Sequence, residues 1–140
     1  MEPGRNIGGK PVHTQGTRVD AKRRRVKSAA MSSLLVLTNL PDADSAHALA
    51  VLLVEQRLAA CVNILAPARS VYRWAGKITD ADEVPLLIKT SASRYAELEE
   101  AIRNHHPYEL PEIIAVPIER GLPGYLAWVD AETTATNFSC

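Results

Sequence analysis

The sequence predicts an α+β fold, a ferredoxin-like βαββαβ sandwich with a long β-hairpin and a short C-terminal helix. Strand and helix periods alternate in that order, and two such halves form an antiparallel sheet with both helices on one face. The length of 140 residues suits one domain, and 46% hydrophobic and 23% charged residues are typical of a soluble globular protein. The other sheet face would be bare, so we expect a homo-oligomer to cover it.

The first half of the domain has the pattern strand–helix–strand. Residues 33–38 are a short apolar run of the kind found in buried strands. Asp42 is a suitable N-cap for a helix that continues to about Leu58, and residues 61–64 return as a β-branched strand. The apolar stripe of this helix consists of Ala46, Leu49, Ala50 and Leu53.

A long hairpin follows a bend at Pro67. Side chains alternate along residues 70–74 and again along 84–90, and the segment 75–77 supplies the turn. Residues 79–83, which include two aspartates, are turn-like, and we expect them to be solvated. Arms of this length exceed an ordinary strand and need a surface to pack on, so the hairpin favours contact with another subunit.

The second half repeats the pattern with a helix, a strand and a final short helix. Ser91 or Ser93 can cap the second helix, and Pro107 ends it. Its buried stripe consists of Tyr95, Leu98 and Ile102. Residues 113–118 form the fourth strand, and the Gly-Leu-Pro-Gly sequence at 121–124 leads into the last helix.

Charge is divided unevenly along the chain although the net charge is zero. Residues 1–30 hold eight basic and two acidic side chains, whereas residues 31–140 hold eight basic and fourteen acidic ones, a net charge of −6. The first segment lacks aromatics and a hydrophobic period, so we expect a disordered basic extension. Its basic run at residues 22–25 is compatible with a nucleic-acid contact or a targeting signal. A vector-encoded or mis-started extension ahead of Met31 is the simpler interpretation.

Composition and motifs argue against several classes of protein. Two cysteines are too few for a disulfide scaffold, and no run of 18 apolar residues predicts a transmembrane helix. The balanced charge gives no reason to expect nucleic-acid or membrane partners. The sequence has no G-x-S-x-G, Gly-rich phosphate loop or H-E-x-x-H motif, so we expect no catalysis. These observations favour a cytoplasmic, non-enzymatic protein.

Four motifs occur in a fixed order along the second to fourth strands. They are Leu-Ala-Ala-Cys-Val-Asn-Ile at 58–64, Ser-Val-Tyr-Arg-Trp-Ala-Gly-Lys at 70–77, Leu-Ile-Lys-Thr at 87–90 and His-Pro-Tyr-Glu-Leu-Pro-Glu-Ile at 106–113. Together they resemble the CutA family, the divalent-cation tolerance proteins. The resemblance implies a cytoplasmic homotrimer of ferredoxin-like subunits whose hairpins pair between neighbours. It also implies a link to tolerance of copper and other divalent cations.

The resemblance places a metal site at the end of the second helix. His105 and His106 match a histidine pair associated with copper binding in bacterial members, and Glu109 and Glu112 follow; the predicted ligands are both histidines and Glu112. Imidazole suits Cu(II) and Zn(II), which are therefore the expected metal ions. The bacterial site also uses a cysteine where this chain has Thr38, which disfavours Cu(I). The alternative is that both histidines cap the helix C-terminus.

A second group of polar and aromatic side chains belongs to the same motifs. Its members are Tyr72, Trp74, Lys77, Glu83, Lys89 and Tyr108. In a trimer these hairpin residues could meet the loop of a neighbour and line a ligand cleft at the subunit interface. The alternative is interface packing for the two hairpin aromatics and structural pairing for Lys89 and Glu83, which share a strand face.

The cleft allows a second function. By fold analogy with the PII signalling proteins, the chain would be a trimeric regulatory module that binds a small anionic ligand through Lys89. A third interpretation is a scaffold that presents a stable trimer to a protein partner. Divalent-cation binding is the leading expectation.

Overall fold

The computed structural model describes residues 32–135, so the predicted basic extension lies outside the described residues. The elements, in chain order, are β1 (Ser33–Leu40), α1 (Ala43–Glu55), β2 (Cys61–Ile64), β3 (Ala68–Trp74), β4 (Lys77–Ser91), a 3-10 turn (Ala92–Arg94), α2 (Tyr95–His105), β5 (Ile114–Ile118) and α3 (Pro123–Glu132). The predicted order of elements is confirmed. The second strand of the pattern is divided into β2 and β3 around Pro67.

The strands form an antiparallel sheet in the order β2-β4-β1-β5, and β3 pairs with the other half of β4. The register places Val36 of β1 between Ile88 of β4 and Ala115 of β5. Because β5 is at the edge of this order, it can hold Pro117, which has no N–H to donate. The α+β sandwich is therefore the predicted one.

Side chains with even numbers on β1 and β4 face the two helices and form the core. The core side chains of β4 are Val84, Leu86, Ile88 and Thr90. The helices contribute Ala46, Leu49, Leu53, Leu98 and Ile102. Both helices thus lie on one face of the sheet, and burying each large aliphatic side chain stabilises the fold by about 1.5–3 kcal/mol.

Side-chain capping differs between the first two helices. Asp42 caps α1 as predicted, because its Oδ1 accepts a hydrogen bond from the Ser45 backbone N–H at 2.7 Å, which also lowers the pKa of Asp42. The prediction of a serine cap on α2 was wrong. Ser91 precedes the 3-10 turn without a capping bond, and its Oγ instead lies 2.9 Å from Thr133 Oγ1.

The first helix ends at Glu55, earlier than the predicted Leu58. Arg57 adopts φ of 58°, the left-handed conformation that commonly follows a helix. The Leu58 N–H then donates to the Leu53 carbonyl at 2.9 Å, which closes the helix C-terminus. Leu58 is buried through this turn rather than through a further helical turn, so its apolar character was misleading.

The hairpin turns at Ala75 and Gly76, which have φ of 52° and 78°. Positive φ at both central residues is the type I′ geometry that matches the twist of paired strands. The turn is therefore two residues long, and Lys77 already pairs with Trp74.

Residues 79–83 belong to β4, so the prediction of a turn-like segment was wrong, whereas Asp80 and Asp82 are exposed to solvent as predicted. Asp82 lies directly opposite Arg69 in the register. Arg69 Nε donates to Asp82 Oδ1 at 2.8 Å, and Arg69 Nη1 donates to Asp80 Oδ2 at 3.2 Å. The aspartates thus serve as cross-strand partners on one face of the hairpin.

The sheet face opposite α1 and α2 is covered only in part. The third helix packs Val129 and Thr133 against one end of it, and Tyr125 places its hydroxyl 3.4 Å from Cys61 Sγ. Ile114 and Val116 of β5 stay about half exposed. No helix within residues 32–135 has the length and apolar character that a bilayer-spanning segment requires.

Candidate functional site

A cleft opens where the loop after α2 meets the hairpin. Its volume of about 640 Å³ lies in the range of small-molecule sites. The lining residues are Asn39, Ser70, Val71, Tyr72, Trp74, Glu83, Tyr108, Glu109, Leu110 and Glu112. The cleft thus joins the end of β1, the hairpin and the loop within one subunit.

His106 attaches the loop to the end of β1. The residue is 8% exposed, and its Nε2 lies 2.7 Å from the Asn39 carbonyl oxygen. The Tyr108 backbone N–H lies 3.1 Å from Nδ1 of the same ring. A carbonyl only accepts and an N–H only donates, so Nε2 carries the proton and Nδ1 is the acceptor. Burial keeps the ring neutral by lowering the pKa of His106.

The same asparagine positions a carboxylate in the cleft. Asn39 Nδ2 donates to Glu112 Oε1 at 3.0 Å, so both the backbone and the side chain of Asn39 contact the loop. Glu112 is otherwise exposed. One oxygen of the Glu112 carboxylate is therefore held by Asn39.

A second carboxylate is oriented by Tyr108. Burial, together with a hydrogen bond to Glu83, raises the pKa of Tyr108 to about 12. The Tyr108 ring also packs on His106, with 4.8 Å between ring centroids. Tyr108 thus links the histidine anchor of the loop to the Glu83 carboxylate on β4.

Two aromatic rings of β3 line the hairpin side of the cleft. Tyr72 and Trp74 alternate with Val71 along β3, and they are 41% and 54% exposed. Aromatic rings with this much free surface can contact an apolar or cationic ligand.

The cleft is acidic. Three of the described lining residues are glutamates, namely Glu83, Glu109 and Glu112. No lysine or arginine is among the described lining residues. Lys89 is on the same strand face as Glu83, as predicted, but six residues along β4 separate the two by about 20 Å. Lys89 Nζ donates instead to Asn63 Oδ1 on β2.

Four of the six predicted cleft residues, Tyr72, Trp74, Glu83 and Tyr108, come together in this cleft. Lys77 lies at the hairpin turn opposite Trp74, and neither Lys77 nor Lys89 lines the cleft. No sequence motif pointed to Asn39, although a polar residue at the end of a buried strand is a feature that can be searched for in a sequence.

The predicted metal ligands occupy different environments. His105 is exposed, and its Nδ1 donates to the Ala101 carbonyl at 2.9 Å, which leaves Nε2 with the lone pair. His106 uses both ring nitrogens within the protein. No three His, Cys, Asp or Glu side chains within residues 32–135 converge tightly enough to hold a metal ion. One subunit therefore offers a partial ligand set.

Thr38 faces the core and is 1% exposed. Its hydroxyl is buried without a hydrogen-bond partner among the described residues. The position that carries a cysteine in the resembled bacterial site is thus closed to solvent in this subunit.

The sequence profile of the family described as "CutA1 divalent ion tolerance protein" matches residues 34–132. The "Divalent-cation tolerance protein CutA" of Thermus thermophilus is 42% identical over 99 residues, which cover 71% of this chain and 96% of that protein. CutA1 from Oryza sativa superposes with a TM-score of 0.73 at 37% identity, over 75% of this chain and 96% of its own. A CutA from Archaeoglobus fulgidus, described as periplasmic, superposes with a TM-score of 0.71 at 37% identity, over 73% of this chain and 99% of its own. The chain therefore belongs to the CutA1 family of divalent ion tolerance proteins.

Proposed function

We propose that this protein acts in divalent-cation tolerance by binding Cu(II), or Zn(II), at the loop that follows α2, without catalysis. The observation that carries this proposal is the hydrogen bonding of the two ring nitrogens of His105. Its Nδ1–H is donated to the Ala101 carbonyl, and its Nε2 lone pair is left at the surface. Histidines that bind metal ions usually donate their other N–H to a carbonyl or carboxylate in this way.

The neighbouring carboxylates supply the oxygen ligands in this proposal. Glu112 is held by Asn39 through one oxygen, and Glu109 is exposed on the same loop. His106 instead serves as a positioning residue, because a metal ion at either of its nitrogens would displace a hydrogen bond that holds the loop. A mixed set of imidazole and carboxylate ligands suits Cu(II) and Zn(II) better than Cu(I).

A homotrimer would complete this partial ligand set with side chains from a neighbouring subunit. Two features of the subunit support assembly. Large apolar side chains are exposed on the hairpin and on β5, namely Val71, Ile78, Ile114 and Val116. Within residues 32–135, the half of β4 before Val84 pairs with β3 alone, so the hairpin has unpaired edges. Both features favour contact with further copies of the chain. We place the trimer in the cytoplasm.

An anionic ligand is the weaker alternative, since the cleft contains three glutamates and no basic lining residue among those described. The two lysines that would attract an anion lie elsewhere on the hairpin and sheet. A regulatory module with a small anionic ligand would therefore need a site away from this cleft.

Calorimetric titration of Cu(II) and Zn(II) into the full chain tests the proposal. We expect saturable binding that is lost in His105→Ala and kept in His47→Ala, a matched control at an exposed histidine on α1. Light scattering on the same samples reports the subunit number, for which we expect three. Binding that survives His105→Ala would overturn the site, and stabilisation by an anionic metabolite that is lost in Lys89→Ala would favour the regulatory alternative.

A further inference from the structure

We propose that Asn39 is a positioning residue for the divalent-ion site, and that its side chain raises the affinity of this site by holding the Glu112 carboxylate. The inference rests on the proposed function, since it takes Glu112 as a metal ligand. It goes further because it gives a role in metal binding to a residue that is not itself a ligand.

Asn39 is joined to both ends of the loop that follows α2. Its carbonyl oxygen lies 2.7 Å from Nε2 of His106 at the start of the loop, and its Nδ2 donates to Glu112 Oε1 at 3.0 Å near the end of the loop. The proposed ligand His105 is the last residue of α2, directly before the loop. One residue of β1 therefore connects the two parts of the chain that carry the proposed ligands. Both contacts lie within one subunit, so they do not require the cleft to stay open after assembly.

The backbone of Asn39 is fixed by the core. Asn39 pairs with Pro85 in the register of β1 and β4, and its neighbours Thr38 and Leu40 are 1% and 0% exposed. Because side chains alternate along a strand, the side chain of Asn39 lies on the opposite face from these two. A side chain on a fixed strand orients a ligand more precisely than one on a loop does.

Glu112 has little else to orient it. It is exposed, and the bond from Asn39 is its only hydrogen bond or ion pair within residues 32–135. A glutamate side chain has several rotatable bonds and loses this freedom when it binds an ion. A carboxylate that is already held loses less, so we expect the ion to bind more tightly.

The chemistry of the amide suits this role. An amide nitrogen donates a hydrogen bond without carrying a charge, so the negative charge of Glu112 remains available to a metal ion. Lysine or arginine at the same position would neutralise it. Hydrogen-bond partners that orient metal ligands commonly contribute about 10–100-fold to metal affinity. Because Glu112 is exposed, we expect the lower end of this range for Asn39.

Calorimetric titration of Zn(II) into the full chain tests the proposal with Asn39→Ala. This substitution removes the amide and keeps the backbone carbonyl that His106 contacts. We expect the affinity for Zn(II) to fall about tenfold, with an unchanged midpoint of urea unfolding in the metal-free protein and an unchanged subunit number by light scattering. Asn63→Ala is the matched control and should bind like the parent chain, because the side chain of this other strand asparagine accepts from Lys89 instead.

A double-mutant cycle separates the positioning of Glu112 from a general effect on the loop. In the Glu112→Ala background, where His105 still provides weaker binding, Asn39→Ala should cause no further loss of affinity. A further tenfold loss in that background, a lower unfolding midpoint in metal-free Asn39→Ala, or parent-like affinity in Asn39→Ala would each overturn the inference.

His105→Ala separates this inference from the proposed function. Parent-like Zn(II) binding in His105→Ala would show that the proposed site is wrong, and the role of Asn39 would fail with it. Loss of binding in His105→Ala together with parent-like binding in Asn39→Ala would keep the proposed site and reject the role of Asn39 alone.

Discussion

The two halves of β4 have opposite surroundings although the strand runs through both without a break. Residues 84–90 lie between β1 and β2 in the sheet and bury every second side chain under the helices. Residues 77–83 pair with β3 alone and leave the body of the domain. The same strand therefore contributes to the core at one end and carries exposed or half-buried side chains at the other.

This difference predicts which substitutions on β4 affect folding and which affect binding or assembly. Side chains of the core half are surrounded by apolar neighbours, and their loss leaves a cavity. Side chains of the hairpin half are exposed in the subunit, so their loss should change binding or assembly more than folding. One strand thus provides matched positions for testing its contribution to folding and its contribution to binding or assembly.

The largest effect is expected for a pair of isoleucines on β4. Ile88 is fully buried, whereas Ile78 is 66% exposed. Ile88→Ala should lower the free energy of unfolding by about 2–5 kcal/mol and leave the subunit number unchanged. Ile78→Ala should instead weaken assembly, because Ile78 is one of the exposed apolar side chains that favour contact between subunits. Urea unfolding and light scattering over a range of protein concentrations separate the two effects. A loss of stability in Ile78→Ala that does not depend on protein concentration would show that the hairpin half contributes to the fold of the subunit, and the comparison would fail.

A smaller effect, with the opposite sign, is expected at Thr38. Its hydroxyl is buried in the core without a partner among the described residues, and valine has nearly the same shape without that group. Thr38→Val should therefore raise the free energy of unfolding by about 1 kcal/mol. Thermal unfolding followed by circular dichroism would show the gain. A decrease in the midpoint temperature would mean that the hydroxyl has a partner such as an ordered water molecule.

The smallest effect is expected for the pH dependence set by His106, which lies between the two regions. Burial lowers its pKa in the folded state below the ordinary value of 6.5, so the unfolded chain takes up a proton first as the pH falls. Stability should decrease as the pH falls from 6.5 towards the folded pKa and should become independent of this group below it. Protonation at Nδ1 also removes the acceptor of the Tyr108 N–H.

Unfolding by urea between pH 8 and pH 5.5 measures this dependence, with His106→Gln as the variant that removes it. The slope in this window should be smaller in the variant than in the parent chain. The same slope in both proteins would show that His106 does not titrate differently in the folded and unfolded states.

The sequence was sufficient for the fold where local patterns agreed with packing. The alternation on β1 and β4 and the spacing of Leu49 and Leu53 on α1 gave the correct faces. It misplaced the end of α1, because Leu58 is apolar but is buried by a left-handed turn at Arg57. It also misread Asp80 and its neighbours as a turn, because the pairing with Arg69 depends on a register that only the two-residue hairpin turn fixes.

The site was less accessible to sequence reasoning. The motifs pointed to Tyr72, Trp74 and Glu83, but not to the role of Asn39, whose two contacts depend on how the loop returns to β1. The different states of His105 and His106 follow from hydrogen bonds to particular carbonyl groups, and neighbouring identical letters in a sequence cannot distinguish them.

The ion pairs of Arg69 have a further consequence for the newly made chain. Until a partner arrives, the two-stranded ribbon of β3 and residues 77–83 has strand edges without neighbours in the described part of the chain. Such edges are templates for indiscriminate aggregation, and charged side chains on a ribbon discourage it. Arg69, Asp80 and Asp82 place three charges there. We expect them to act as gatekeepers that keep the free subunit dispersed while specific assembly proceeds.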